Sequence, residues 1–226
     1  MSGIDLHGKR ILLTQADAFM GPALVERLTA CGAELIADRG QLLQPGEVDR
    51  LVAGSGRIDV LVVNLGIPAP SSLATEASDD EWRSVFRHMV DPLQQLTRAV
   101  LPQMLERRSG KILLMGSAAA LRGIKRCSSY AAARGAQLAY IRAVGVEVAQ
   151  SNVQVNAIAQ NFVENPTYFP PEVQALPAFQ KRLQREVPLG RLVSAEEDTA
   201  FAAYLCSDAA DCFVGQVFPV CGGWAD

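Results

Sequence analysis

Along the 226 residues, short and nearly continuous apolar runs alternate with longer stretches whose apolar positions recur every three to four residues. The runs fall at Arg10 to Thr14, Ala33 to Ala37, Ile58 to Asn64, Lys111 to Ser117, Val153 to Ala159 and Gln216 to Val220. The amphipathic stretches fall at Gly21 to Cys31, Pro45 to Ala53, Asp79 to Arg108, Ser128 to Ala149 and Ala195 to Leu205. This alternation predicts strands and helices in successive βαβ units around a parallel sheet. A strand with one wetted face would alternate polar and apolar residues; these runs do not, so helices should cover both faces. The expected fold class is α/β: a doubly wound parallel sheet flanked by helices in three α/β/α layers, as one domain over 1–226. One segment breaks the pattern. Asn165 to Gly190 carries Pro166, Pro170, Pro171, Pro177 and Pro188 together with Tyr168, Phe169 and Phe179. An insert of this kind between two sheet elements is expected to act as a lid over a pocket.

Composition narrows the function. The chain is 49% hydrophobic and 20% charged, which excludes a disordered class. Net charge is −3, and the basic residues are scattered apart from Arg122, Lys125 and Arg126, so a nucleic-acid partner is not expected. The longest apolar stretches, such as Ile58 to Leu65, fall well short of the roughly 20 residues that cross a bilayer. The start, MSGIDLHGKR, has no apolar segment of a secretory leader. A cytoplasmic protein without a membrane partner is expected. The five cysteines form no CxxC pair, and His7 and His88 complete no zinc spacing, so the thiols should be reduced and no metal is expected.

In an open α/β sheet the ligand crevice lies beyond the carboxyl ends of the strands, here Thr14, Asn64, Ser117 and Ala159. From Lys9 onward the chain resembles the short-chain dehydrogenase/reductase superfamily. The resemblance rests on a strand ending at Thr14, the turn Asn64-Leu65-Gly66, Ser117 placed ahead of Tyr130, and a terminal GQVFPVCGG. It implies a Rossmann-like fold. Nicotinamide-dependent members carry a Thr-Gly-xxx-Gly-x-Gly turn whose glycines let the backbone approach the pyrophosphate. Here the turn reads Thr14-Gln15-Ala16-Asp17-Ala18-Phe19-Met20-Gly21, with two of the three glycines replaced. Their Tyr-xxx-Lys is Tyr130 to Arg134, their Pro-Gly after the fifth strand is Gln160-Asn161, and His88 takes the place of their helix asparagine. Between Asp38 and Ile58 there is too little chain for a full helix and strand of an adenine-binding half.

These departures resemble the halohydrin dehalogenase family, a cofactor-free branch of the same superfamily. Its signatures are present as Thr14…Phe19-Met20-Gly21 and as Ser117…Tyr130…Arg134, and the stretch Asn161 to Pro170 resembles its halide-binding segment. Tyr130 and Arg134 lie four apart on an expected helix, so their side chains share a face, and a fixed cation favours a tyrosine acting as base. Ser117 can hydrogen-bond a substrate hydroxyl. The resemblance implies that Tyr130, Ser117 and Arg134 close a vicinal haloalcohol to an epoxide. Asn161, Phe162 and Val163 would offer turn amides to the leaving halide. Phe19 would form an apolar wall, with Gln160, Tyr168 and Phe169 completing the pocket. No cofactor is expected, and the resemblance implies a homotetramer. Two alternatives stay open: an NAD(P)-dependent oxidoreductase with a degenerate cofactor turn, supported by Asn64-Leu65-Gly66 and Asp38, and a non-catalytic member binding a small ligand.

Overall fold

The computed structural model describes residues 4–226. Its strands are β1 (Arg10–Leu13), β2 (Glu34–Ala37), β3 (Val60–Val63), β4 (Gly110–Ser117), β5 (Val153–Gln160) and β6 (Val217–Val220). All pair in parallel, in the order β2-β1-β3-β4-β5-β6. The Rossmann-like α/β class expected from the apolar runs is therefore present. The helices are α1 (Gly21–Ala30), α2 (Glu47–Ser55), α3 (Asp79–Met89), α4 (Asp91–Glu106), α5 (Ser128–Val148), α6 (Pro171–Gln174), α7 (Pro177–Glu186) and α8 (Ala195–Cys206).

The near-continuous strands bury residues on both faces. Leu12, Leu61, Val63, Ile112, Leu114 and Val155 join a core with α2, α4 and α5, while Ile11, Leu13, Val60, Val62, Leu113 and Ile158 join another with α1 and α8. Chain direction reverses around the sheet between β1 and β3, the switch point where an α/β sheet opens a crevice beyond its strand ends. The register of β4 with β5 sets Ser117 beside Gln160, and that of β5 with β6 sets Gln160 beside Val220. The ends of β4 and β5 line the site, with β6 bracing β5 from its far side.

Two expectations are corrected. The helix expected over Asp79 to Arg108 is two helices, with Val90 closing α3 and opening α4. Pro92 lacks an amide hydrogen and its ring would clash with the carbonyl four residues back, so the first helix stops and proline sits harmlessly in the first turn of the next. The segment 165–190 is also more than a cover. It contains α6 and α7, and α7 sends Phe179 and Leu183 into the core cluster that also holds side chains of β5 and α5. Among the described residues, no helix is long and apolar enough to cross a membrane.

Candidate active site

The turn after β1 keeps the shape a glycine-rich turn would have while filling its space. Gln15 and Phe19, at two positions where nicotinamide-dependent relatives have glycine, both hold left-handed backbone, with φ of 44° and 51°. The remaining glycine, Gly21, could not be replaced, because a Cβ there would come within 2.4 Å of the Gln15 carbonyl oxygen. Asn64 ties the turn down: its side-chain amide donates to the Gln15 carbonyl at 3.0 Å and the Ala18 carbonyl at 2.9 Å. The Gln15 side chain is buried and its Oε1 accepts from the Gly66 amide at 3.0 Å. The Phe19 ring lies so close to Gly66 that a Cβ on that glycine would stand 3.1 Å from Cε2. The Gln15 side chain and the Phe19 ring fill space beside Gly66 that glycines at their positions would leave open.

Beyond the strand ends lies a cavity of about 350 Å³. It brings together Ser117, Tyr130 and Arg134, with Phe19, the run Gln160 to Val163, Tyr168 and Phe169, all ten residues singled out in the sequence. Helix α5 presents Tyr130 and Arg134 one turn apart, and both are buried. Arg134 Nε donates to the Tyr130 hydroxyl oxygen at 3.0 Å, while its Nη1 donates to the Leu65 carbonyl and to Gln137 Oε1, each at 2.9 Å. Gln137 in turn donates to the Met89 carbonyl at the end of α3. A guanidinium held at three points is fixed relative to the phenol. Ser117 Oγ accepts from the Ala119 amide at 3.2 Å, which leaves its own hydrogen free to donate into the cavity.

The turn after β5 corrects one expectation. Three amides at Asn161, Phe162 and Val163 do not converge on an anion: the Asn161 amide donates to the Val220 carbonyl, extending the β5–β6 ladder, and the Phe162 amide donates to Asn161 Oδ1 at 2.9 Å. Among the described residues, only the Val163 amide of the three has no acceptor in the chain. Because Asn161 Oδ1 is engaged, its Nδ2 is the side-chain donor left over. Phe162 sits at φ 50° with its ring buried and stacked on Phe169 at 5.9 Å. The Tyr168 hydroxyl donates to the Ile67 carbonyl and accepts from the Ala69 amide, both at 3.1 Å, fastening the inserted segment to the loop after β3. Burial, reinforced by the neighbouring Tyr130, pushes its phenol above the usual tyrosine range. Burial also raises the Cys127 thiol on the cavity wall, so that sulfur is no thiolate nucleophile.

Sequence reading missed four contributors. Gln15 was visible as a lost glycine, but its bond to Gly66 crosses 51 residues. Gln137 carries a helical i,i+3 signal relative to Arg134 that could have been used. Arg182 reaches the cavity from α7, and no local pattern announces it. Asp198, fully buried in α8, accepts from Gln160 Nε2 at 2.6 Å, and burial pushes its carboxyl up to about 7.

Residues 7–225 match the family model described as Enoyl-(Acyl carrier protein) reductase. The chain belongs to the short-chain dehydrogenase/reductase family. One relative in this family is the 3-oxoacyl-[acyl-carrier-protein] reductase FabG of Salmonella typhimurium, 28% identical with 97% of this chain and 98% of that protein covered. A solved structure described as a dehalogenation enzyme superposes with a TM-score of 0.90 at 33% identity, covering 97% of this chain and 99% of that one. A halohydrin dehalogenase (HheC) bound to ethyl (2S)-oxiran-2-ylacetate superposes with a TM-score of 0.87 at 26% identity, covering 96% and 98%. As a short-chain dehydrogenase/reductase, this chain is similar both to reductases and to dehalogenating proteins, and the geometry of its own site has to separate the two. A nicotinamide dinucleotide does not fit the residues here, because Gln15 and Phe19 stand in its cradle.

Proposed function

We propose that the protein is a cofactor-independent lyase of the halohydrin dehalogenase kind, closing vicinal haloalcohols to epoxides with release of halide, and opening epoxides with small anions in reverse. The observation that carries this reading is the filled turn, in which Gln15 caps the Gly66 amide and the Phe19 ring takes the space beside it. The catalytic set beside that turn is complete without a redox partner. Ser117 donates to the substrate hydroxyl oxygen, and Tyr130 takes its proton. The freed oxygen pair attacks the neighbouring carbon, the carbon–halogen bond breaks, and halide leaves with the bonding pair. Arg134 Nε holds the Tyr130 oxygen throughout, and the proton then passes to solvent. The halide is received by the Val163 amide and Asn161 Nδ2, beside the Phe19 ring, rather than by three turn amides. The similarity to the two dehalogenating structures adds support.

The test is halide release from a panel of vicinal haloalcohols with no nicotinamide added. Release with matching epoxide formation is the expected result. No release, together with carbonyl reduction driven by NADH or NADPH, overturns the reading in favour of a reductase. One observation favours that second reading: Asp38, just beyond β2, keeps a buried Oδ2 without a partner, as an acid awaiting ribose hydroxyls would. We further propose a homotetramer as the working assembly, giving four times the 24.3 kDa chain mass in light scattering.

A further inference from the structure

The cavity wall is unbalanced in charge. Two arginines line it, Arg134 from α5 and Arg182 from α7, and no carboxylate among the described residues does. Arg134 spends Nε and Nη1 on Tyr130 and its own supports, whereas Arg182 keeps both of its Nη groups free, among the described residues. Its guanidinium lies over the Phe162 ring at 5.1 Å, which fixes it against the turn that follows β5. Its Nε donates to Glu186 Oε2 at 3.0 Å, and neither Nη has an acceptor among the described residues. Glu186 is shared, because Arg185 reaches its other oxygen at 2.6 Å. One carboxylate between two guanidiniums leaves this cluster on α7 with one unit of positive charge, Arg182 being its member that lines the cavity.

We infer that the natural substrate carries a carboxylate, bound by the two free Nη groups of Arg182, so that the enzyme acts on haloalcohol acids and epoxy acids in preference to neutral ones. The haloalcohol half of this statement rests on the function proposed above; the carboxylate half rests on Arg182 alone. A planar guanidinium with two parallel N–H groups free is the complement of a carboxylate, and its ring contact holds it ready before the ligand arrives. Of the other side-chain groups and turn amides lining the cavity, Asn161 Nδ2, the Val163 amide and the Ser117 hydroxyl hydrogen are unpaired donors, and the neutral Asn64 Oδ1 and Gln160 Oε1 are unpaired acceptors, among the described residues. A cavity with a free guanidinium fork and no carboxylate favours an anion over a cation. Position divides the labour: the turn after β5 serves the halide, while α7 serves the substrate's far end.

The experiment compares an acid with its own ester. Calorimetry with 3-hydroxybutanoate and with ethyl 3-hydroxybutanoate requires no turnover, so it stands apart from the halide-release test. The acid should bind the wild-type protein more tightly than the ester. Arg182→Gln should weaken the acid roughly tenfold and leave the ester within twofold, whereas Arg182→Lys should lose only part of the difference. Glu186→Gln, which frees Nε from its competitor, should tighten the acid. Arg182 is exposed on α7, so the variants should keep the fold, and the ester serves as the control for a displaced Phe162. Equal loss of acid and ester in Arg182→Gln, or no binding of the acid to wild type, overturns the inference. A loss of bromide inhibition equal to the loss of acid would also overturn it, since Arg182 would then be a halide ligand. Should acid binding follow Arg182 while no haloalcohol releases halide, the function above fails and the carboxylate assignment survives.

Discussion

Arg134 is a buried guanidinium with no carboxylate partner among the described residues: its bonds go to a phenol, a backbone carbonyl and an amide. The phenol is the one contact among these three that could serve as a reacting group, because the other two are a backbone carbonyl and a primary amide. In the proposed reaction a proton leaves Tyr130 and returns beside this fixed guanidinium. Tyr130→Phe should abolish epoxide formation with an unchanged circular dichroism spectrum, since it removes one hydroxyl and almost no volume. Arg134→Lys keeps the charge but cannot span three acceptors, and kcat should fall roughly 10- to 100-fold; undiminished kcat would remove the positioning role. Asp198 leads to a prediction about pH. Its folded-state value, pushed up to about 7, lies above the ordinary 3.8, so the folded chain binds more proton than the unfolded one between those values. Stability from this group is therefore present at low pH and is lost as pH rises through 7, at no more than about 1.4 kcal/mol per pH unit. Asp198→Asn can still accept from Gln160 and cannot ionise. Its melting temperature should exceed wild type at pH 8 and match it near pH 4; equal melting at both would show that the carboxyl is not buried as described.

At the scale of elements, α7 joins lid to core. Phe179 is buried and tilts against Phe169 at 5.4 Å, Phe169 stacks on Phe162, and Phe162 meets Trp224 edge-on at 6.1 Å. An aromatic line thus runs from the inserted helix to the turn that shapes the cavity. Truncating its first member leaves a void, so Phe179→Ala should cost about 3 kcal/mol in urea unfolding and shift Trp224 emission toward the exposed range. A loss below 1 kcal/mol would mean that α7 only rests on the surface. Such an anchor was not legible in the chain, because proline-rich segments carry no period by which to recognise a buried face. The sheet was legible for the opposite reason. Runs such as Val60–Val63 are buried at every position, and only helices on both sides allow that. The break at Val90 was missed because the apolar period continues through it, although Pro92 was there to mark it. In the site, Tyr130 and Arg134 could be paired because both lie on one helix. Gln160 with Asp198, and Asn161 with Val220, could not, since those contacts join elements far apart in sequence. The amides of the turn after β5 were misjudged for that reason: its residues could be read, but the acceptors that engage two of those amides lay in β6 and in a folded-back side chain.

The whole molecule bears on what it can bind through the left half of its sheet. In a dinucleotide-binding sheet ordered 3-2-1-4-5-6, a strand lies outside β2; here β2 is itself the edge, partly exposed, and the chain returns through the short α2 directly to β3. Two separate obstacles therefore face a dinucleotide: the filled turn beside Gly66 and a shortened half for the adenosine end. Titration with NADH or NADPH, followed by nicotinamide fluorescence, should show no saturation up to about 100 μM, and a dissociation constant at or below about 10 μM, roughly −7 kcal/mol, would overturn this. The obstacles can be separated by the double variant Gln15→Gly, Phe19→Gly. Both positions already hold left-handed φ, where a side chain costs about 1–2 kcal/mol, so glycine relieves strain and opens the cradle together. If the filled turn were the sole barrier, the variant should bind in the low micromolar range. We expect weak binding instead, near 1 mM, because opening the pyrophosphate site does not restore the missing strand. On that outcome the loss of the cofactor is written into the topology of the sheet as well as into two side chains, and reversing the side chains alone will not recover a reductase.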